Sequence, residues 1–380
     1  MIRLSKPYIE KKDIDAVDQI LQSGFLVQGK TVESFENAIA QYTGAKYAIA
    51  VSNCTAALHL SLLAINVHPG DIVLVPAYSW ISTANVVELC GAQPVFIDIQ
   101  ADTFNMDTEH LSDELRRLMR VKHIAKRVAA IIPVHTFGQI ADIQCIIKIA
   151  EKYNIPVIED AACALGASIN GKHAGTFGLM GCFSFHPRKN ITTGEGGIIV
   201  TDNSDLMLKL RALRNHGLDP QSTSPEFIMP GYNYRLTEFQ AALGLIQLDK
   251  LEAIIDRRIE SANTYNDLLQ NYCFQLPYSS RKRSHVYQSY VIMLPNELMN
   301  KRHLVIEKLK LAELIETTIG TWNMPMTSYF RNRYNYHIDN FPITNNVFNK
   351  SITLPLYFDL DKNIQNTIVD SLNNTINNIL

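Results

Sequence analysis

Apolar residues follow two rhythms along the chain. Over residues 13–21 and 32–42 they recur three and four positions apart, which predicts two amphipathic helices joined by a loop at 24–30. Short apolar runs at 46–52, 72–75, 94–97, 128–134, 156–158 and 198–201 instead predict buried strands. Helical spacing returns at 56–64, 81–89 and 140–153. Strand and helix therefore alternate, which predicts an α/β fold with a mostly parallel sheet covered on both faces. A helical pattern without proline then extends over 237–269, the length of one helix bridging two domains. A strand at 288–294 and helices at 302–311 and from 361 onward predict a smaller α+β domain. We expect a large domain over residues 1–245 and a small C-terminal domain over 246–380.

Two of the predicted strands end in candidate chemistry. Residues 181–197 read GCFSFHPRKNITTGEGG: a short apolar strand, then Lys189 in a turn rich in threonine and glycine. A lysine just beyond a buried strand can be desolvated, which lowers its pKa and suits Schiff-base chemistry. Ser184, five residues earlier, offers a hydroxyl for a phosphate. Upstream, the strand around Val157 and Ile158 ends in Glu159 and Asp160. Ligands of open α/β sheets bind at such strand ends. Pyridoxal phosphate (PLP) needs a lysine for its aldehyde and an aspartate for its ring nitrogen. Lys189 and Asp160 could supply the pair, although a lone lysine is commonly on the surface and a lone aspartate commonly caps a helix. The turn of Ser52, Asn53, Cys54 and Thr55 follows a strand and opens a helix, where free backbone N–H groups suit a phosphate as well as an ordinary cap.

The stretches VIEDAACALGA, GTFGLMGCFSFHPRKNITTGEGG and GYNYRLTEFQAALG, in that order and spacing, resemble the DegT/DnrJ/StrS family of sugar-nucleotide aminotransferases. The resemblance runs from the opening helices to SITLPLY near the end. It implies the aspartate-aminotransferase-like fold (PLP fold type I), PLP as cofactor, and amination of a nucleotide-linked keto sugar with glutamate as donor. Lys189 would hold PLP and carry the proton, and Asp160 would face the ring nitrogen. Cys54 and Thr55 would grip the phosphate through their backbone, with Ser184 adding its hydroxyl. Trp80 would lie against the ring, its alternative being core packing. Cys163 stands where many relatives have glutamine near the cofactor hydroxyl, its alternative being a small buried hydrophobe. Asn233 would reach the phosphate of the neighbouring subunit, implying a homodimer with composite sites; by itself it reads as a turn residue.

The same resemblance puts residues 321–326 against the sugar nucleotide, with Met326 about where relatives have histidine. The run Ala57, Leu58, His59, Leu60 looks closer to enzymes that aminate C4 than to those that aminate C3. Dehydratases of the family replace the lysine by histidine, so the presence of Lys189 argues against that reading. Retention of Lys189, Asp160, Ser184 and Asn233 together argues against a non-catalytic regulator. A role in surface polysaccharide or lipopolysaccharide synthesis is the expected setting.

Composition changes this picture little. The 380 residues are 47% hydrophobic and 19% charged, with a formal net charge of −2, so nothing marks a nucleic-acid partner. Arg281, Lys282 and Arg283 form the one basic cluster and read as a solvated loop. Six cysteines show no metal-ligand spacing and read as free thiols in a reducing compartment. His135, His186 and His216 read as packing or supporting residues, and no metal is expected. No apolar run reaches the ~20 residues of a membrane span, nor does the start read as a signal peptide. A cytoplasmic location is the expectation.

Overall fold

The computed structural model describes residues 1–278 and 285–380; the Arg281–Lys282–Arg283 cluster lies outside them. Seven strands form the main sheet: β1 (Tyr47–Val51), β2 (Ile72–Pro76), β3 (Gln93–Ile97), β4 (Val128–Ile131), β5 (Ile158–Asp160), β6 (Met180–Ser184) and β7 (Gly197–Thr201). Their spatial order is β3-β2-β4-β5-β6-β7-β1. Strands β4 and β5 meet through parallel bridges at Ile131–Val157 and Val134–Asp160. Only β7 runs against its neighbours, antiparallel to both β6 and β1.

Apart from the two acids of β5, these strands are mainly apolar because both faces are covered. On β2, Ile72 and Leu74 enter one core with Phe35, Ile97 and Leu115, while Val73 and Val75 enter another with Leu58, Leu60 and Val87. The second core contains helix Cys54–Ala64, buried around most of its circumference and capped by the Asn53 side chain, which accepts from the N–H of Ala56 at 2.8 Å.

The C-terminal residues build a third core around a smaller antiparallel sheet. Its strands are β8 (Tyr290–Met293), β9 (Thr318–Ile319) and β10 (Ser351–Leu354), in the order β8-β10-β9. Tyr265, Leu269, Ile292, Leu354 and Leu372 pack there. The chain start joins this unit: Ile2 bridges to Ile315, and the N–H of Leu356 donates to the Leu4 carbonyl. No helix among the described residues is long and apolar enough to cross a membrane.

The single long helix expected over 237–269 is two helices, Glu238–Asp249 and Leu251–Leu269. Lys250 breaks them with φ −100° and ψ −3°. Its ammonium pairs with Asp13 at 2.5 Å and Glu10 at 3.3 Å and lies 4.9 Å from the centre of the Tyr8 ring. Two helices not expected from the pattern, Thr108–Met119 and Ser204–Arg214, cover the sheet, each capped by the side chain before it, Asp107 or Asn203.

Candidate active site

At the carboxyl ends of the parallel strands a cavity of about 970 Å³ opens between the main sheet and the C-terminal unit. Strand β5 supplies its deepest carboxylate. Successive side chains on a strand point to opposite faces, and this divides the two acids. Asp160, only 4% exposed, faces the cavity, where its carboxylate accepts from Thr83 Oγ1 at 2.8 Å and from the N–H of Ala162 at 3.2 Å. Glu159, fully buried, accepts from the N–H groups of Gly175, Phe177 and Gly178 at 2.8, 2.6 and 2.6 Å and meets His135 Nε2 at 2.8 Å. His135 Nδ1 accepts from the N–H of Ala141 at 3.1 Å, so Nε2 carries the proton given to Glu159. Burial pushes the Asp160 carboxyl above its ordinary pKa, even though Thr83, Ala162 and Lys189 pull it down. A cationic ring nitrogen is the partner such a group would favour.

The turn after β1 lies beside the end of β6, because Val51 pairs with Gly197 and Gly197 with Ser184. A side chain at Gly197 would place its Cβ 2.4 Å from the Asn53 carbonyl carbon and 2.6 Å from the Cys54 nitrogen, so only glycine permits this approach. The first helical bond there runs from Ala57 to the Asn53 carbonyl. The N–H groups of Cys54 and Thr55 precede it and stand at the positive end of the helix. These residues and Ser184 line the same cavity, where their N–H and O–H groups could hold an anion. The Cys54 thiol, pushed well up by burial with Asp160 adding to the effect, stays protonated.

Lys189 sits in a turn closed by its own N–H to the His186 carbonyl at 2.8 Å, and by Thr192 Oγ1 and Thr193 N–H to the Phe185 carbonyl at 2.8 and 3.0 Å. Its ammonium reaches Cys163 Sγ at 3.1 Å. Burial pushes Lys189 down, as expected for a lysine beyond a buried strand, but its neighbours, Cys163 foremost, more than offset that, and the net shift is upward. The expected lowering is therefore reversed in the protein alone, because the turn delivers the amine to electron-rich partners. A ligand that occupied Asp160 and Cys163 would remove that support.

Seven of the eight expected residues line this one cavity: Cys54, Thr55, Trp80, Asp160, Cys163, Ser184 and Lys189. Trp80 is 62% exposed and so is not core packing. Asn233 lies exposed outside the cavity of its own chain, its backbone bridged to Asn215. The segment expected to face substrate contributes Thr321, held by pairing of Trp322 with Ser79, whereas Met326 packs on the second core. Sequence reasoning missed Thr83, Tyr234 and Gln288; a hydroxyl two residues into the helix after SWI was the available signal for Thr83. The donor set fits PLP: a carboxylate for the ring nitrogen, a lysine for the aldehyde, and N–H and O–H groups for the phosphate.

Comparison with known proteins agrees with that chemistry. The profile of the DegT/DnrJ/EryC1/StrS aminotransferase family matches residues 7–373. PseC of Helicobacter pylori, an aminotransferase involved in the biosynthesis of pseudoaminic acid, has a TM-score of 0.91 at 28% identity, with 99% of each chain covered. Spr1654 of Streptococcus pneumoniae in its PMP form gives 0.92 at 26%, with 100% of each chain covered. An uncharacterized protein of Methanocaldococcus jannaschii is 35% identical over 379 residues, 97% of this chain and 95% of its own.

Proposed function

Because the chain belongs to the DegT/DnrJ/EryC1/StrS aminotransferase family, we propose that it moves an amino group from glutamate to the C4 keto group of a nucleotide-linked deoxy sugar. It is a PLP-dependent sugar aminotransferase with the type I PLP fold of its structural neighbours. The observation that carries the transaminase reading is the convergence of Lys189 and Asp160 on one cavity, whereas the C4 assignment rests on the run Ala57, Leu58, His59, Leu60.

When bound, PLP supplies the aldehyde that accepts the amino group and the electron sink that lets the donor's α-proton leave. In our reading Lys189 would hold the cofactor and would serve as the base for the donor's α-proton. Asp160 would keep the ring nitrogen protonated, and Thr83 fixes its carboxylate. Cys54, Thr55 and Ser184 would bind the phosphate, and Trp80 and Cys163, which line the same cavity, would border the ring and its hydroxyl. His186, pushed down by burial, stays neutral in the wall.

Asn233 reaches the phosphate of a second copy of this chain, which makes the working unit a homodimer. Two features support this. Asn233 is exposed and does not line its own cavity, and exposed Phe25, Val27, Phe227 and Ile228 lie on neighbouring segments. Glu238 ties the first of these to the Asn233 segment by accepting from the N–H groups of Gly29, Thr31 and Val32 at 2.8, 3.0 and 2.9 Å. We place the division of the chain at 1–245 and 246–380, and the work of the enzyme in the cytoplasm on precursors of a surface glycan. The test is incubation with PLP, glutamate and a panel of 4-keto and 3-keto sugar nucleotides carrying UDP, dTDP or GDP, with products followed by mass spectrometry. Amination of 3-keto substrates alone would overturn the C4 assignment.

A further inference from the structure

Gln288 belongs to the segment that crosses from the main sheet into β8, and its side chain does something its neighbours do not. Its amide Nε2 donates to the carbonyl of Arg188 at 2.7 Å. That carbonyl belongs to the peptide whose nitrogen is that of Lys189, so the bond fixes the plane from which the lysine side chain departs.

Gln288 is itself anchored from behind. The guanidinium of Arg258, only 3% exposed, donates to the carbonyls of Tyr287 and Gln288 at 3.2 Å each and of Leu356 at 3.5 Å. No carboxylate pairs with Arg258 among the described residues. Burial lowers it to about 10, so it stays charged at neutral pH and holds these carbonyls as a cation. In front, Val286 donates its N–H to the Gly138 carbonyl at 3.1 Å. Gly138 has φ +97°, and a Cβ there would lie 3.0 Å from the Gln288 nitrogen and 3.1 Å from the Cys163 carbonyl oxygen. The Gln288 backbone is thus packed beside the residue whose sulfur meets Lys189.

We propose that Gln288 is a positioning residue for Lys189, setting the lysine turn in register with the C-terminal unit. The proposal rests on the reading of Lys189 as the cofactor-anchoring lysine. A lost neutral hydrogen bond of this kind is worth roughly tenfold in rate at most, and the effect falls on the amine rather than on substrate binding.

The test uses PLP-loaded enzyme carrying Gln288→Met, which keeps the length and removes the donor, and Gln288→Glu, which puts an acceptor against the Arg188 carbonyl. Gln288→Met is expected to melt near the wild-type temperature, to react with glutamate several-fold more slowly in a single turnover, to keep its KM for both substrates within about twofold, and to shift the pH midpoint of its visible absorption band. Gln288→Glu should lose more than the methionine variant at pH 8 and recover part of the difference as pH falls and the carboxyl takes up a proton. An unchanged single-turnover rate and band midpoint in either folded variant overturns the proposal. Should Gln288→Met fail to fold, the glutamate variant decides the matter by the same two readouts. A wild-type enzyme whose visible band is not lost on adding glutamate would instead overturn the reading of Lys189.

Discussion

Glu159 and Asp160 share a peptide bond, yet their carboxylates serve opposite sides of β5. Asp160 accepts from Thr83 at the cavity, and Glu159 holds three N–H groups of the Gly175 to Gly178 turn together with His135. The pair therefore separates chemistry from stability within two residues.

Asp160→Asn should keep bound PLP and melt near the wild-type temperature, while the chemical step slows by several orders of magnitude, because a neutral amide no longer favours the ring proton. Glu159→Gln should do the reverse. It leaves a buried donor facing a donor at a cost of about 1–3 kcal/mol, lowering the melting temperature without displacing the visible band. Near-normal turnover in the asparagine variant would mean that another group supports the ring nitrogen.

Lys189→Ala should fold and bind PLP without multiple-turnover transamination. An added small amine is expected to restore part of the activity by standing in for the missing base. Steady turnover in the variant without such an amine would remove Lys189 from its assigned role.

Asn233→Ala should weaken PLP retention while leaving Lys189 intact. Mixed with Lys189→Ala under subunit exchange, it should regain activity at limiting PLP. One site of each heterodimer then joins a native Lys189 to a native Asn233 from the opposite chain, while the other carries both lesions. Demonstrated exchange with no recovery would place Asn233 in the service of its own subunit.

Burial pushes His285 down to about 3, against an ordinary value near 6.5 in an unfolded chain. Between those values the unfolded chain binds a proton that the folded one does not, so acid favours unfolding. This contribution leaves stability untouched above about pH 6.5 and costs up to about 1.4 kcal/mol per unit as pH falls from there toward 3. His285→Gln cannot take up that proton, so its urea midpoint should fall less steeply than the wild type's between pH 7 and pH 5. Parallel slopes would assign the acid sensitivity elsewhere.

Most of the sheet is legible in the sequence because a strand covered on both faces has no polar positions to disguise it, as in Ile72 to Pro76. The helix Thr108–Met119 is harder to see although Leu111, Leu115 and Leu118 keep helical spacing behind the Asp107 cap, because three leucines in twelve residues make a short apolar stripe. The break at Lys250 leaves no mark on the local pattern, and Asp13, the carboxylate its ammonium meets there, lies far away in the chain. Around the cavity, residues in ordered motifs can be found from sequence and those acting across the chain cannot. Cys163 reads as a contact to the cofactor, but its approach to Lys189, which reverses the direction of the lysine's shift, depends on how two turns are laid side by side. Gln288 carries no local signal at all, because its partner is a main-chain carbonyl on another segment.

The pairing of Tyr47 with Thr201 through Val51 with Gly197 also sets an order of events during synthesis. Strand β1 is made early, yet its hydrogen-bonding neighbour β7 is made only after β2 to β6. Contacts so distant along the chain are reached slowly. Until then β1 presents an open strand edge, the kind of surface that invites pairing with other chains. The anion cradle, which needs Gly197 beside Asn53, cannot form until β7 has been made, and the cavity is completed later still, when Gln288, Thr321 and Leu354 join its wall from the C-terminal unit.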